Sequence, residues 1–168
     1  MRESTLKDGF QSSLDGIDNI LDLPVIEKKK NSVNTDVYIK PQNMLSMTLS
    51  TNNITFDDVD ATEDTEKLNA LNITVISSLP YSLNAYLESE IQNKDKTEIM
   101  DKSILEIKES STNSYKSFPN IGDAILLIEN APSSADIQNH SIDFRLKGNI
   151  PYKTDVYKAV VKFEVKQK

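Results

Sequence analysis

Residues 71–89, LNITVISSLPYSLNAYLES, decide the fold. Leu71, Ile73 and Val75 alternate with Asn72 and Thr74, and after Pro80 the alternation resumes as Tyr81, Leu83, Ala85 and Leu87. A period of two puts one set of side chains on a buried face and the other toward water, which predicts two half-buried strands joined near the proline. The same period recurs in both directions along the chain. Upstream, Val37 and Ile39 alternate with Tyr38 and Lys40, and Leu45, Met47 and Leu49 with serine and threonine. Downstream, Ile104 and Ile107 flank a short strand, and residues 124–128 form a compact apolar run. Ile142, Phe144 and Leu146 then alternate with Asp143, Arg145 and Lys147. The final stretch places Tyr157, Ala159, Val161, Phe163 and Val165 on one face, opposite mostly lysines and Glu164. Asn, Asp, Ser and Pro clusters separate these segments, and no helical pattern intervenes. The expected fold is therefore mainly β, an antiparallel β-sandwich of the Ig-like kind or a related barrel. With only 4 glycines in 168 residues, longer loops are expected to outnumber tight primed hairpin turns.

Residues 5–23 follow another rule. Leu6, Phe10, Leu14, Ile17, Ile20 and Leu21 recur at three- and four-residue spacing, the face of an amphipathic helix. Ser4 or Thr5 is placed to cap its start, and Pro24 lies just beyond its end. Gly9 and Gly16 each weaken such a helix by roughly 1 kcal/mol relative to alanine. The polar stretch 27–36 reads as a linker. This gives two parts, an arm with its linker over 1–36 and a sandwich over 37–168, the arm being either helical on its own sandwich or extended toward a neighbour.

The net charge of −7 and a pI near 4.8 argue against nucleic acid, which is bound by clustered lysine and arginine. Lys28-Lys29-Lys30 and the lysines of the final strand do not make such a patch. No segment approaches the roughly 18 apolar residues of a membrane helix. Cysteine is absent, which removes disulfides, a thiolate nucleophile and sulfur-ligated zinc. Nothing apolar follows Arg2, so the N-terminus is not read as a signal peptide. Met1 is either a natural start or one placed after a removed leader.

Residues 56–66, FDDVDATEDTE, carry six carboxylates. An EF-hand loop alternates oxygen ligands, turns on a glycine and closes on a bidentate glutamate. Counted from Asp58, ligand positions fall on Asp58, Asp60, Thr62, Asp64 and Glu66. The glycine position, however, is Glu63, and the closing position is Asn69. Two readings stand: a looser calcium site on these five residues, or a solvated connection between a strand closing at Ile54 and Phe56 and one beginning at Leu71. The second is preferred.

Catalytic patterns are sparse. His140 is the single histidine, without a G-x-S-x-G elbow, and it reads as a surface or loop residue where a strand begins. Glu88, Glu90, Asp101, Glu106 and Glu109 offer carboxylate pairs for glycoside hydrolysis, but 26 acids make such pairs by chance. Walker, G-x-G-x-x-G and H-E-x-x-H patterns are absent, and there is no tryptophan on which to stack a sugar. No cofactor is expected. N-x-S/T triplets occur at Asn53, Asn72 and Asn139, two of them inside predicted strands.

Residues 45–65, 71–89 and 155–168, with their strand, Pro-Tyr kink and closing Y-x-A-x-V-x-F-x-V pattern, resemble the pilin-like and WxL-type β-sandwiches of bacterial surface proteins. The resemblance spans residues 37–168 but lacks a Trp-x-Leu motif, an L-P-x-T-G-like signal and an isopeptide-forming pilin box in the last strand. It implies a non-enzymatic structural subunit at the cell surface or outside the cell, in a pilus, filament or adhesive assembly. Such a subunit works through self-assembly or a protein partner, with Leu6, Phe10, Leu14, Ile17 and Leu21 as contact residues. A virion tail or neck component is the alternative, and a small carboxylate hydrolase a lesser one.

Overall fold

The computed structural model describes residue 32 and residues 34–168. The chain divides into two units, Met1–Lys40 and Pro41–Lys168. In the first, residues 34–40 carry no regular secondary structure and are exposed. The predicted helix over 5–23 and the contact residues Leu6, Phe10, Leu14, Ile17 and Leu21 lie outside the described residues.

The strands of the second unit are β1 (Leu45–Leu49), β2 (Thr65–Ser77), β3 (Tyr81–Leu87), β4 (Ile91–Asn93), β5 (Ile99–Met100), β6 (Leu105–Glu109), β7 (Lys116–Ser117), β8 (Ala124–Ala131), β9 (Ser134–Leu146), β10 (Tyr157–Lys158) and β11 (Val161–Gln167). A single 3-10 turn, Lys102–Ile104, precedes β6, and Asp101 caps it by accepting the Ser103 N–H at 2.7 Å. The strands form a five-stranded sheet in the order β1-β2-β9-β6-β7 and two three-stranded sheets, β11-β3-β8 and β10-β4-β5. Every pairing is antiparallel. The fold is a β-sandwich, as the alternation predicts.

One apolar core lies between the sheets. Leu71, Ile73 and Val75 of β2, Ile107 of β6, and Ile142 and Phe144 of β9 meet Tyr81, Leu83, Ala85 and Leu87 of β3 and Ile125 and Leu127 of β8. Each fully buried aliphatic side chain stabilises the fold by about 1.5–3 kcal/mol. The hairpin quoted at the outset supplies the centre of both layers, since Ile73, Val75, Tyr81, Leu83, Ala85 and Leu87 are all 0 % exposed.

Several sequence expectations need correction. Val37 and Ile39 fall in no strand, the first strand beginning at Leu45. Ile54 and Phe56 close no strand; they pack against the core from the irregular connection between β1 and β2. β2 begins at Thr65 rather than Leu71, so Thr65 and Glu66 of the acidic run are strand residues. The alternation is broken there because the register shifts between Lys67 and Leu71, a bulge in which Asn69 adopts a φ of 49°. Asparagine tolerates that left-handed backbone better than most residues. The last segment is two strands, because the chain changes sheets at Ala159-Val160: β10 pairs with β4 and β11 with β3. His140 lies within β9 opposite the fully buried Ile73, on the inward face.

Candidate functional site

The outer face of the five-stranded sheet carries a ladder of charges fixed by strand register. Arg145 of β9 lies opposite Glu66 of β2 on one side and Glu106 of β6 on the other. One step along, Asp143 lies opposite Lys108. Directly opposed charges of opposite sign are the stabilising arrangement in a sheet. Glu106 sits at the centre. Its Oε2 accepts from Arg145 Nη2 at 2.5 Å and Nε at 2.7 Å, and its Oε1 from Lys147 Nζ and Ser117 Oγ, each at 3.0 Å. Arg145 Nη1 also faces Asp64 at 3.8 Å and Glu66 at 3.9 Å. Asp143, nearly buried, accepts the Asn69 N–H at 2.8 Å and the Ser110 hydroxyl, with Lys108 Nζ 3.5 Å from its other oxygen. The bulge therefore has a purpose: it turns the Asn69 N–H onto the Asp143 carboxylate.

Tyr115, from the β6–β7 connection, covers the ladder. Its ring lies 4.3 Å from the Arg145 guanidinium carbon and 4.8 Å from Lys108 Nζ, both cation–π contacts. Its hydroxyl is buried without a hydrogen-bond partner among the described residues. Burial, together with the nearby Glu66 and Asp143, pushes the Tyr115 hydroxyl above its ordinary range. Burial also works against the Glu106 charge, but hydrogen bonds from Lys147, Arg145 and Ser117 outweigh it and hold the carboxyl below its usual value. The Glu106 hydrogen bond raises Arg145 in turn. These shifts all run away from neutrality, whereas a general acid or base works best with a pKa near the operating pH. The ladder is built to hold charge and join three strands.

The calcium candidates are engaged one by one. Asp60 Oδ1 accepts from Thr62 N at 2.8 Å and Thr62 Oγ1 at 2.7 Å, which closes its own turn and lowers its pKa. Asp64 Oδ1 accepts the Gly148 N–H at 2.8 Å. Asp64 and Glu66 face Arg145, and Asp58 sits at a φ of 52° in the exposed connection. Among the described residues, no group of three or more His, Asp or Glu is gathered to hold a metal ion. Gly148 explains why the loop is pinned: a Cβ there would lie 2.7 Å from the backbone of Thr62 and Glu63.

The hydrolase candidates are also dispersed. Asp101 caps its turn, Glu109 accepts from the Ser111 N–H at 3.0 Å, and Glu88 faces Lys162 at 3.9 Å. Two shallow depressions of about 240 and about 210 Å³ lie at Met44–Ser78–Ser134 and at Phe56–Asp57–Lys67, neither lined by Glu106. His140 Nε2 meets the Tyr81 hydroxyl at 2.6 Å, and that hydroxyl donates to Gln138 Oε1 at 2.8 Å. With the hydroxyl proton used on Gln138, His140 is the donor to Tyr81, and burial lowers its pKa.

The site suited to a partner is the edge strand β1. By register, Leu45, Met47 and Leu49 share the inward face with Ser77, Val75 and Ile73. At the sheet's edge the opposite layer covers them incompletely, leaving Leu45 45 % and Leu49 41 % exposed. Ser50 N bonds Asn72 O, and Ser78 N bonds Met44 O. The even-numbered residues therefore face β2, and the N–H and C=O groups of Leu45, Met47 and Leu49 face the free edge. From residue 42 to 56 there is no charged side chain, although 27 % of the sequence is charged. Natural edges are usually guarded by lysine, proline or a bulge, and among the described residues β1 has none of these. The polarity pattern of β1 was legible in the sequence; its edge position was not, because strand order depends on pairings distant in the chain. No protein-family model matches the chain, and no curated protein matches it significantly.

Proposed function

We propose that the chain is a non-enzymatic structural subunit that works through protein–protein contacts made at the edge strand β1. The observation that carries this reading is the β1 edge, where among the described residues three backbone positions are open for pairing beside the half-covered Leu45 and Leu49. A place outside the cell or at its surface, in a filament or adhesive assembly, follows from the sequence resemblance alone. Exposed apolar surface combined with free strand hydrogen bonds is what β-strand addition uses, main-chain bonds giving affinity and alternate side chains giving specificity.

Sedimentation velocity on the full chain, over rising concentration, tests the reading. The parent is expected to self-associate, and the double variant Leu45→Lys/Leu49→Lys to remain monomeric with the same circular dichroism. A parent that stays monomeric at the highest concentration, or a variant that associates equally well, would overturn it.

A further inference from the structure

We infer that the occupant of the β1 edge is β1 of a second copy, paired antiparallel across a two-fold axis at Met47. This deepens the reading above by naming the partner and its register, and it rests on that reading.

The strand is its own complement. β1 reads LSMTL, apolar at both ends and at the centre, with a small hydroxyl residue in each gap. A two-fold contact requires such a surface, because every pairing in it occurs twice with the roles exchanged. Turned about Met47, Leu45 falls opposite Leu49 of the second copy, Ser46 opposite its Thr48, and Met47 opposite its own counterpart. Leu45, Met47 and Leu49 are the residues whose N–H and C=O groups face away from β2. Each of these pairs can therefore exchange both backbone bonds, as the hydrogen-bonded pairs of an antiparallel ladder do. Their side chains share the inward face with Ser77, Val75 and Ile73. Pairing thus sets the half-covered Leu45 of one copy beside the half-covered Leu49 of the other, on both sides of the axis. The apolar rows of the two copies become continuous.

Neighbouring registers lose this match. An axis at Ser46 sets Leu49 against Asn43, and an axis at Thr48 sets Leu45 against Thr51. Only the axis at Met47 pairs all three apolar residues with apolar residues.

Charge favours self-pairing here and opposes it at the other long edges. Near a two-fold axis a charge meets its own copy, and like charges directly opposed destabilise a sheet. From residue 42 to 56 there is no charged side chain, so β1 and its flanks bring none together. β11 turned about its central residue would set Glu164 on Glu164 and Lys162 on Lys166. At the edge strand β8, the Lys116 ammonium already donates to the Leu126 carbonyl. β5, β7 and β10 are two residues long. Because the contact is isologous, it uses the β1 edge of both copies and closes at two chains.

The experiment maps the register by disulfide formation in the full-length chain, which has no cysteine of its own. Ser46 and Thr48 are exposed, on the face of β1 opposite the core. A directly opposed pair without backbone hydrogen bonds has its Cα atoms about 4.5 Å apart, within the roughly 4.4–6.8 Å that a disulfide spans. Mixed under oxidation, a Ser46→Cys chain and a Thr48→Cys chain are expected to give the mixed disulfide in excess of its random share. In sedimentation velocity the parent is expected to reach the mass of two chains and no more. A predominance of symmetric disulfides would move the axis to Ser46 or Thr48 and overturn the proposal. So would the lack of any disulfide while the parent associates and Leu45→Lys/Leu49→Lys does not, since β1 would then meet a different surface; the β1 reading survives both results. A monomeric parent overturns both.

Discussion

Arg145→Met is the sharpest test of the charge ladder. The substitution keeps an apolar stem but takes two of the four donors from Glu106, whose side chain is 6 % exposed. Removing one partner of a buried ion pair costs about 3–5 kcal/mol, because the other charge is left desolvated. Two features reduce that here: Lys147 still reaches Glu106 at 3.0 Å, and Arg145 is itself 27 % exposed. The expected loss is about 2–3 kcal/mol, read as a lower urea midpoint at unchanged m-value. Glu106→Leu alone should also destabilise, since it leaves the Arg145 guanidinium covered by Tyr115 without its main acceptor. The double variant Arg145→Met/Glu106→Leu should recover most of the loss, because no buried charge is then orphaned. The pH dependence follows from the depressed Glu106 pKa. The stability it contributes is full above the ordinary carboxyl value of 4.5 and is lost as pH falls through the lower folded value. The gap between parent and Arg145→Met should therefore narrow in acid. A single-variant cost below about 0.5 kcal/mol, or a double variant showing the plain sum of the singles, would refute the reasoning.

Other expectations follow from single contacts. Gly148→Ala forces a methyl against the Thr62–Glu63 backbone and should cost about 1–3 kcal/mol in urea unfolding; a neutral result would mean the loop is not held there. Tyr115→Phe removes a buried hydroxyl that has no partner among the described residues, so stability should hold or rise by up to about 1 kcal/mol. Tyr115→Ala, by contrast, should lose about 2 kcal/mol from two cation–π contacts and the exposure of Asp143. His140 has a folded pKa below its ordinary 6.5, so its contribution is full above that value and declines as pH falls below it. His140→Gln should flatten that part of the stability–pH curve, and an unchanged slope would place His140 in water.

The layers of the sandwich were legible because the apolar residues of β2, β3 and β9 fall on one face, which writes a period of two into the sequence, although Ser82 and Asn84 on the other face of β3 are buried as well. The ladder was only half legible. Asp143, Arg145 and Lys147 stand on the polar face of their strand in the sequence, and Glu106 was one carboxylate among many. What makes them a unit is the register β6-β9-β2, which joins residues about eighty positions apart and is specified by the core rather than by any local pattern. The bulge at Asn69 hid the first half of β2, since a shifted register interrupts the alternation that marks a strand. His140 looked like a surface residue because its immediate neighbours are polar; its inward position follows from the parity it shares with Ile142 and Phe144. Val37 and Ile39 show the limit of the pattern, since their alternation reads as a strand and the structure assigns none there.

Amide hydrogen exchange along β1, in dilute and in concentrated full-length protein, tests the central claim most directly. Ser46 and Thr48 face β2 and should be protected in both samples. Leu45, Met47 and Leu49 face the open edge and should exchange quickly when dilute and slowly when concentrated. Exchange at those three residues that does not change with concentration would contradict an assembly built on this strand.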